Sequence, residues 1–335
     1  MKFKAGRGLL ALVAIMAAGV SVLAGQAQDP AAKAASILAE ARKAIGGDDK
    51  LAAIKTLEIK GTARRGATDV NLEGDMTIVM ELPGKYLRKE SIILGNAGID
   101  IVEGLNGPEA WEEQKFSGNM NFGDDGGGNR GGSRGGLPGQ NQNAAAGAAA
   151  DPKAAEAAKQ AQLVAKQTEL ARVILALLLT TDRPVKYTGQ AASPQATAEV
   201  IEMTAPDGNP IRILIDSKTY LPLMLTWTGV AQDPIAALAA RSGFRGRGRG
   251  GRGGFGGFGG GNQRQTPQQA AAEAARADLL SQPTSLQMFL SDYKAINGVK
   301  LPHLIVRGAR DQVTEEWVIK SYKFNPNLKA DTFKK

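Results

Sequence analysis

The stretch that decides the fold lies at residues 197–227 and reads TAEVIEMTAPDGNPIRILIDSKTYLPLMLTW. It predicts three strands, because apolar residues recur at every second position, the period of a sheet with one buried face. Asp207-Gly208 separates the first two strands, where a hairpin needs positive φ, and residues 216–220 form the second turn. Connections this short predict antiparallel pairing. The apolar positions on the predicted buried face are Ile201, Met203, Ile211, Ile213, Ile215, Leu221, Leu223, Leu225 and Trp227.

The same alternation extends the sheet upstream. It predicts strands at residues 57–62, 72–82, 86–94 and 99–102, with another at or beside Trp111. In the second of these strands, one face carries Met76, Ile78, Met80 and Leu82.

Downstream, the pattern predicts strands at residues 286–293, 301–307 and 314–322. Asn297-Gly298 is a hairpin turn between the first two of them. We expect residues 324–333 to form a tail along the sheet edge.

Three helices are predicted outside the Arg/Gly-rich segment of residues 233–283, which is itself predicted to be flanked by helices that start at Asp233-Pro234 and Thr266-Pro267. The first spans residues 31–45 and ends at Gly46-Gly47, and Asp48 caps a short second helix. A third begins near Asp151-Pro152, because a capping residue precedes a proline at the first helical position. Its apolar side should pack into the concave side of the sheet.

Composition separates the folded part of the chain from its basic segments. The net charge is +8, but Lys2, Lys4 and Arg7 lie in an N-terminal segment and six arginines lie within residues 241–264, which contain no acid. Removing these three and six charges leaves −1 for the rest of the chain. The folded part is therefore nearly neutral.

Residues 1–27 are predicted to be a cleaved secretory signal peptide, since a basic start precedes an apolar run that is too short to span a bilayer. An uncleaved anchor is the alternative, and both predict an exported, periplasmic protein. The predicted segments are the signal peptide (1–27), the first part of the fold (28–116), a Gly/Asn/Ala-rich insertion (117–160), a helix with central strands (161–232), an Arg/Gly-rich insertion (233–283) and C-terminal strands (284–335).

Four stretches together resemble the LolA-like superfamily of periplasmic lipoprotein carriers and related envelope proteins. They are Ile45-Gly46-Gly47 with the following short helix and strand, LPGKYLR at residues 82–88 leading to GPEAW at 107–111, IDSKTYLPL at 215–223, and Ser291-Asp292-Tyr293 with NGVKLP at 297–302. The resemblance implies an α+β fold, in which a curved antiparallel sheet forms an incomplete β-barrel and helices cover its open concave side. The two Gly-rich insertions depart from the carrier pattern.

The resemblance also implies an apolar hollow that takes a lipid or lipoprotein acyl chain, and it extends this expectation to outer-membrane lipoprotein sorting. Arg88 is the nearest candidate for the carriers' cavity arginine. The same apolar residues would equally serve as ordinary core, an alternative that the pattern leaves open. The predicted ligand-binding residues are Met76, Ile78, Met80, Arg88, Ile211, Ile213, Ile215, Leu223, Leu225 and Trp227.

Catalytic chemistry has little support in the sequence. The chain has no cysteine, and its single histidine, His303, has no evident partner. We therefore predict no catalytic residue, no metal site and no cofactor, and a protein that is not an enzyme.

The Arg/Gly-rich insertion supports a second hypothesis. Arg245, Arg247, Arg249 and Arg252 lie among glycine and phenylalanine without acids, a composition that can bind polyanions. Because the signal peptide predicts export, the expected partners are polyanions of the cell envelope. We expect no specific nucleic acid as a partner. The primary prediction is a monomeric, exported protein that binds a lipid; the alternative is an envelope scaffold whose arginine arm binds polyanions. A flexible loop without a fixed partner also fits this composition.

Overall fold

The computed structural model of the chain describes residues 29–67, 70–94, 97–118, 152–193, 196–230, 282–309 and 312–335. The predicted signal peptide and most of both insertions lie outside the described residues. The same is true of Arg245, Arg247, Arg249 and Arg252, so their role stays a prediction.

The described residues form three helices and twelve strands. The helices are α1 (Pro30–Ile45), α2 (Asp48–Ala52) and α3 (Pro152–Leu178). The strands are β1 (Thr56–Ala67), β2 (Val70–Glu81), β3 (Lys85–Leu94), β4 (Ala97–Asn106), β5 (Glu109–Gly118), β6 (Val185–Ala192), β7 (Thr197–Thr204), β8 (Pro210–Asp216), β9 (Pro222–Val230), β10 (Pro283–Ile296), β11 (Val299–Ala309) and β12 (Gln312–Phe324).

All twelve strands belong to one antiparallel sheet. Its order is β5-β4-β3-β2-β1-β12-β11-β10-β9-β8-β7-β6, so strands adjacent in sequence pair with each other, except β5 and β6, and β1 also pairs with β12. Because β5 and β6 remain at the two edges, the sheet is open and not a closed barrel. The predicted α+β fold with an antiparallel sheet is confirmed.

The turns follow the local sequence. Asn297 and Gly298 both have positive φ in the two-residue β10–β11 hairpin, and Gly208 has a φ of 84° between β7 and β8. At the β8–β9 turn, the Asp216 carboxylate accepts hydrogen bonds from the backbone N–H groups of Lys218 and Thr219. The predicted hairpin positions are therefore confirmed.

One face of the sheet, here called the inner face, packs against α1 and α3. It carries a large set of buried apolar side chains that includes Ile59, Met76, Ile78, Met80, Ile211, Ile213, Ile215, Leu225, Trp227, Ile305 and Trp317. Residues 173–178 of α3 are all buried, which means that this part of the helix is enclosed on every side. The hollow expected from the sequence is therefore occupied by the apolar half of α3.

The alternation predicted for β9 breaks at Leu223. The pairing of β8 with β9 shifts between Leu214 and Ile215, because Leu214 faces Met224 while Ile215 faces Pro222. Leu223 consequently packs with Leu214 and Met224 on the opposite face, here called the outer face. A strict period of two cannot anticipate such an irregularity.

Strand β6 was not predicted, since the sequence pattern indicated strands only after Tyr187. Its residues alternate between half-buried and exposed, and none is fully buried. An edge strand of this kind, with small and polar residues such as Gly189 and Gln190, lacks the apolar signal of a central strand.

The C-terminal tail was predicted to lie along the sheet edge, and this prediction is wrong. Phe333 packs on the outer face against Val79 and Leu87, and its carbonyl accepts a hydrogen bond from Trp111 Nε1 at 3.3 Å. The ring of Trp111 itself lies over Gly104, where a Cβ atom would meet it at 2.2 Å. The tail covers an apolar patch that would otherwise face water.

Candidate functional site

A polar strip interrupts the apolar inner face under the middle of α3. Alternation along β3 directs Tyr86, Arg88 and Glu90 to the inner face, opposite Met80, Ile78 and Met76 of β2. We call the charged residues that meet there the ionic cluster: Arg65, Arg88, Glu90, Glu169, Arg307 and Glu315.

Glu315 of β12 is the centre of the ionic cluster. Its Oε1 accepts from Arg65 Nε at 3.1 Å and from Arg88 Nη2, and its Oε2 lies 3.6 Å from Arg307 Nη1. Glu90 bridges two of the same cations, with its Oε2 at 2.6 Å from Arg65 Nη2 and 3.0 Å from Arg88 Nη2. Buried charges therefore join β1 and β3 to β12, where Glu315 lies 227 residues after Arg88.

The two carboxylates of this centre have opposite pKa shifts. Burial alone would raise the pKa of Glu315, but Arg88, Arg65 and Arg307 hold it well below its ordinary range. Burial raises the pKa of Glu90 above its ordinary value, although Arg88 and Arg65 oppose this. Glu315 is thus the firmly ionised member of the pair.

Trp317 lies beneath two of the arginines. Its ring centroid is 5.0 Å from the Cζ atom of Arg88 and 4.7 Å from that of Arg307, and the side chain is fully buried. The indole therefore contributes cation–π attraction to both guanidinium groups.

Helix α3 meets this strip through charged side chains. Glu169 pairs with Arg307 of β11, and Lys166 Nζ lies 2.7 Å from Glu103 Oε2 of β4 and 3.7 Å from Glu112 Oε2 of β5. On the other side, Arg172 lies 3.8 Å from Asp207, and its Cζ is 4.4 Å above the ring of Trp227. Residues 166–172 of α3 are held by ion pairs, whereas residues 173–178 are held by hydrocarbon contacts.

Several buried polar atoms around the ionic cluster have no hydrogen-bond partner within the part of the chain that the structure describes. They are Tyr86 Oη, Arg88 Nε, Glu90 Oε1, Thr168 Oγ1, Arg172 Nε, Arg307 Nε and Trp317 Nε1. Burial also raises the pKa of Tyr86, so its hydroxyl stays protonated. This concentration of unpartnered groups is unusual in a protein interior and marks the strip as the candidate functional site.

The sequence-predicted ligand residues lie in two places. Met76, Ile78, Met80 and Arg88 are on β2 and β3 beside the ionic cluster, and Ile211, Ile213, Ile215, Leu225 and Trp227 are on the apolar inner face of β8 and β9. Leu223 is apart from both groups, on the outer face.

The sequence did not predict the partners of Arg88. Arg65 and Glu315 each occupy an inner position of a strand whose other inner positions are apolar, and Glu90 follows Arg88 on the inner face of β3. A charged residue at an inner position of a strand, as in Tyr86-Leu87-Arg88-Lys89-Glu90, is the sequence signal that could have indicated buried ion pairs. It was hidden because charged neighbours on the outer face obscure the period of two.

The described residues contain no other arrangement with evident chemistry. No group of three or more His, Asp or Glu side chains among them could hold a metal ion. His303 is buried, with Nδ1 2.9 Å from the carbonyl of Ile319 and its ring edge-on to that of Tyr322. No described helix is both long and apolar enough to cross a membrane.

Solved structures align with nearly the whole chain at low similarity. A LolA superfamily protein from Nitrosomonas europaea covers 92% of this chain and 99% of its own, with a TM-score of 0.44 and 10% identity. A DUF1329 family protein from Desulfovibrio piger covers 92% and 98%, with a TM-score of 0.41 and 8% identity. An outer membrane lipoprotein-sorting protein domain from Vibrio parahaemolyticus covers 91% and 97%, with a TM-score of 0.40 and 8% identity.

No family model matches the chain, and no curated protein matches it. The resemblance predicted from the sequence is thus found again among solved structures that include a LolA superfamily protein. At these TM-scores and identities, the likeness carries no argument about ligand, partner or activity.

Proposed function

We propose that the chain is an exported, non-enzymatic protein of the cell envelope that binds a lipid or lipoprotein acyl chain on its inner face. The observation that carries the proposal is a broad apolar sheet face whose hollow is filled by a single internal helix, α3. Displacing this one helix would expose the apolar side chains that it covers, and an acyl chain can cover such a surface at about 0.8 kcal/mol per buried methylene.

Helix α3 is suited to such a displacement. Residues 152–161 are exposed, and the following middle section contacts the sheet through Lys166, Glu169 and Arg172. Charges that separate regain their hydration, so breaking ion pairs costs less than exposing the same area of hydrocarbon. We infer that α3 opens from its N-terminal side.

The proposed acyl-chain surface consists of flexible and aliphatic side chains. Met76, Met80 and Met203 have unbranched thioether side chains that can adjust to a guest of variable shape. Ile211, Ile213 and Ile215 present an aliphatic wall beside Met203, whose cross-strand partner is Ile211.

The experiment is a titration of the whole chain with a polarity-sensitive fluorescent fatty acid, combined with extraction of lipids that co-purify from the periplasm. We expect saturable binding at fixed stoichiometry. Met80→Trp, whose bulky ring takes space on the inner face that the guest would occupy once α3 is displaced, should weaken binding by about tenfold or more, the equivalent of two lost methylenes. The matched variant Val318→Trp adds the same ring on the outer face, where Val318 is exposed, and should bind normally.

A folded wild-type chain that neither co-purifies with lipid nor binds the fluorescent fatty acid would contradict the proposal. If Met80→Trp does not fold, Ile213→Phe is a second variant that places a bulky ring on the inner face, and it should also weaken binding. If Met80→Trp binds the fatty acid as tightly as Val318→Trp does, the ligand does not bind on the inner face.

The Arg/Gly-rich insertion (233–283) supports a second candidate function, in which an envelope scaffold binds polyanions through its arginines. Val230 pairs with Pro283, so the chain between them leaves and rejoins the sheet at adjacent positions. Deleting residues 244–261 should abolish salt-dependent binding to a polyanion such as heparin while leaving fatty-acid binding unchanged. Loss of fatty-acid binding in that deletion would contradict the separation of the two activities.

A further inference from the structure

The unpartnered polar atoms of the inner face differ from one another in what they can bind. Arg88 Nε, Arg307 Nε and Trp317 Nε1 can only donate hydrogen bonds, and Tyr86 and Thr168 hydroxyls can also donate. Glu90 Oε1 is the obligate acceptor within the ionic cluster, and Gln114 on β5, two strands from Glu90, leaves both its acceptor Oε1 and its donor Nε2 unpartnered. We call Tyr86, Arg88, Arg307 and Trp317 the donor cluster. It has more donors than the described protein groups around it accept.

The donors lie close enough to act on one group. Arg88 and Arg307 both stand over the ring of Trp317, and Tyr86 is two residues from Arg88 on the inner face of β3. Each of these four side chains is buried or nearly so, with Trp317 and Tyr86 fully buried. A ligand that reached them would be out of water, where hydrogen bonds discriminate most strongly between ligands.

The charges around the donor cluster do not call for an ion. The ionic cluster holds three arginines and three glutamates, which balance when all are ionised. Around it, Arg172 faces Asp207, and Lys166 faces both Glu103 and Glu112, so the surroundings carry a net charge of −1. A ligand carboxylate would be repelled there, whereas a neutral acceptor would not.

A neutral acceptor that is joined to a hydrocarbon chain also fits the neighbouring surface. Tyr86 pairs across the sheet with Met80, and Arg88 pairs with Ile78, so the donor cluster adjoins the apolar part of the inner face. Trp317 lies between Ala63 and Ile305, its partners on the two neighbouring strands.

We propose that the donor cluster binds the ester carbonyl of an acyl chain that lies on the inner face, and so selects acyl esters over free fatty acids. This inference rests on the proposed acyl-chain function and adds the head-group chemistry to it. The Trp317 and Tyr86 donors are the specificity-determining groups, and Arg88 and Arg307 are held in place by Glu315 and Glu169.

The test uses the whole chain and displacement of N-phenylnaphthylamine, a neutral fluorescent probe of apolar sites. Three competitors share one hydrocarbon length: methyl palmitate, palmitate and an alkane. We expect methyl palmitate to displace the probe at a concentration about tenfold lower than either of the others, the effect of one or two buried hydrogen bonds. An isotope-labelled ester carbonyl should also show a lower stretching frequency when bound than in an alkane solvent.

Two single substitutions remove donors without removing a protein hydrogen bond. Trp317→Phe keeps a ring beneath the two arginines, and Tyr86→Phe removes only the hydroxyl. Tyr86→Phe should fold as stably as the wild type, because an unpartnered group loses nothing when it is deleted. Trp317→Phe should be less stable than the wild type, because the smaller ring leaves a cavity at a fully buried position. In each, the preference for ester over alkane should fall several-fold and the carbonyl frequency should rise. Trp111→Phe on the outer face is the matched control and should leave the preference unchanged.

The outcomes separate this inference from the function on which it rests. If ester and alkane displace the probe equally from the wild type, the carbonyl site is wrong while acyl-chain binding stands. If none of the three competitors displaces the probe, acyl-chain binding itself is contradicted. An ester preference that survives in both Trp317→Phe and Tyr86→Phe would show that the donor cluster is not its source. If one of the two variants does not fold, the other decides.

Discussion

The two ends of the inner face bury the same kind of strand surface with different chemistry. On β8 and β9, the inner positions are Ile211, Ile213, Ile215, Leu225 and Trp227, and the core there is almost entirely hydrocarbon. Near β3 and β12, the inner positions include Arg88, Glu90 and Glu315, whose charges are paired beneath α3. The alternation of the strands is therefore the same at both ends, and residue type alone decides which end is a fixed core and which can accept a polar guest.

The largest expected difference between the two ends comes from Glu315→Gln. This change leaves Arg65, Arg88 and Arg307 without their shared carboxylate, and breaking a buried pair in this way costs about 3–5 kcal/mol. Chemical denaturation should show that loss in the free energy of unfolding. Glu316→Gln is the matched control, because the neighbouring Glu316 pairs with the half-exposed Arg64 on the outer face and should lose at most about 1 kcal/mol.

The hydrocarbon end should respond through packing alone. Ile213→Ala leaves a cavity among fully buried side chains and should lower the free energy of unfolding by about 2–4 kcal/mol. The loss should be the same at every pH at which the wild type folds, because no titratable group is involved. Ile93→Ala, at a site that is 76% exposed, should change stability by no more than about 0.5 kcal/mol.

The ionic end should instead show opposite pH dependences for its two carboxylates. The folded-state pKa of Glu315 is depressed, so its stabilisation is present above the unfolded pKa of about 4.3 and declines as the pH falls below it. The folded-state pKa of Glu90 is raised, so its contribution becomes less favourable as the pH rises through the interval between its unfolded and folded values.

Denaturation of Glu90→Gln and Glu315→Gln across the acid to neutral range measures these two slopes. The deficit of Glu315→Gln against the wild type should shrink in acid. The free energy of unfolding of Glu90→Gln, relative to that of the wild type, should increase as the pH rises. Parallel pH curves for the two variants would mean that burial and charge do not divide the roles of these carboxylates as described.

The smallest effect on the free energy of unfolding should come from exposed charges on the outer face of the sheet. Lys320 and Asp75 form a pair at 3.3 Å with side chains that are 62% and 82% exposed. Lys320→Ala should therefore change the free energy of unfolding by less than about 0.5 kcal/mol. A larger loss would show that outer-face charges contribute more than their exposure allows.

Most of the sheet could be predicted because its signal is local. The alternation in β2 and β8, the Asn297-Gly298 turn and the Gly46 helix end each depend on a few adjacent residues. Strand β6 and the displaced Leu223 could not be predicted, because an edge strand has weak alternation and a register shift breaks it.

The candidate site was predictable only in part, because its partners are far apart in sequence. Arg88 was named for its position, but Glu315 lies 227 residues further along the chain and Arg65 joins them through β1. Which inner-face charges meet depends on the pairing of β1 with β12, and a single strand carries no information about that pairing. Similarly, only the packing of Phe333 on Val79 and Leu87 shows where the C-terminal tail lies.

The most direct test of the account is hydrogen exchange of the whole chain with and without a bound acyl ester such as methyl palmitate. We predict faster exchange for the amides of residues 170–178 when ligand is bound, because the guest takes the place of α3 in the hollow, while β8 amides stay protected. Saturable binding without any increase in α3 exchange, or with slower exchange there, would contradict the claim that the inner face receives the acyl chain by displacing α3.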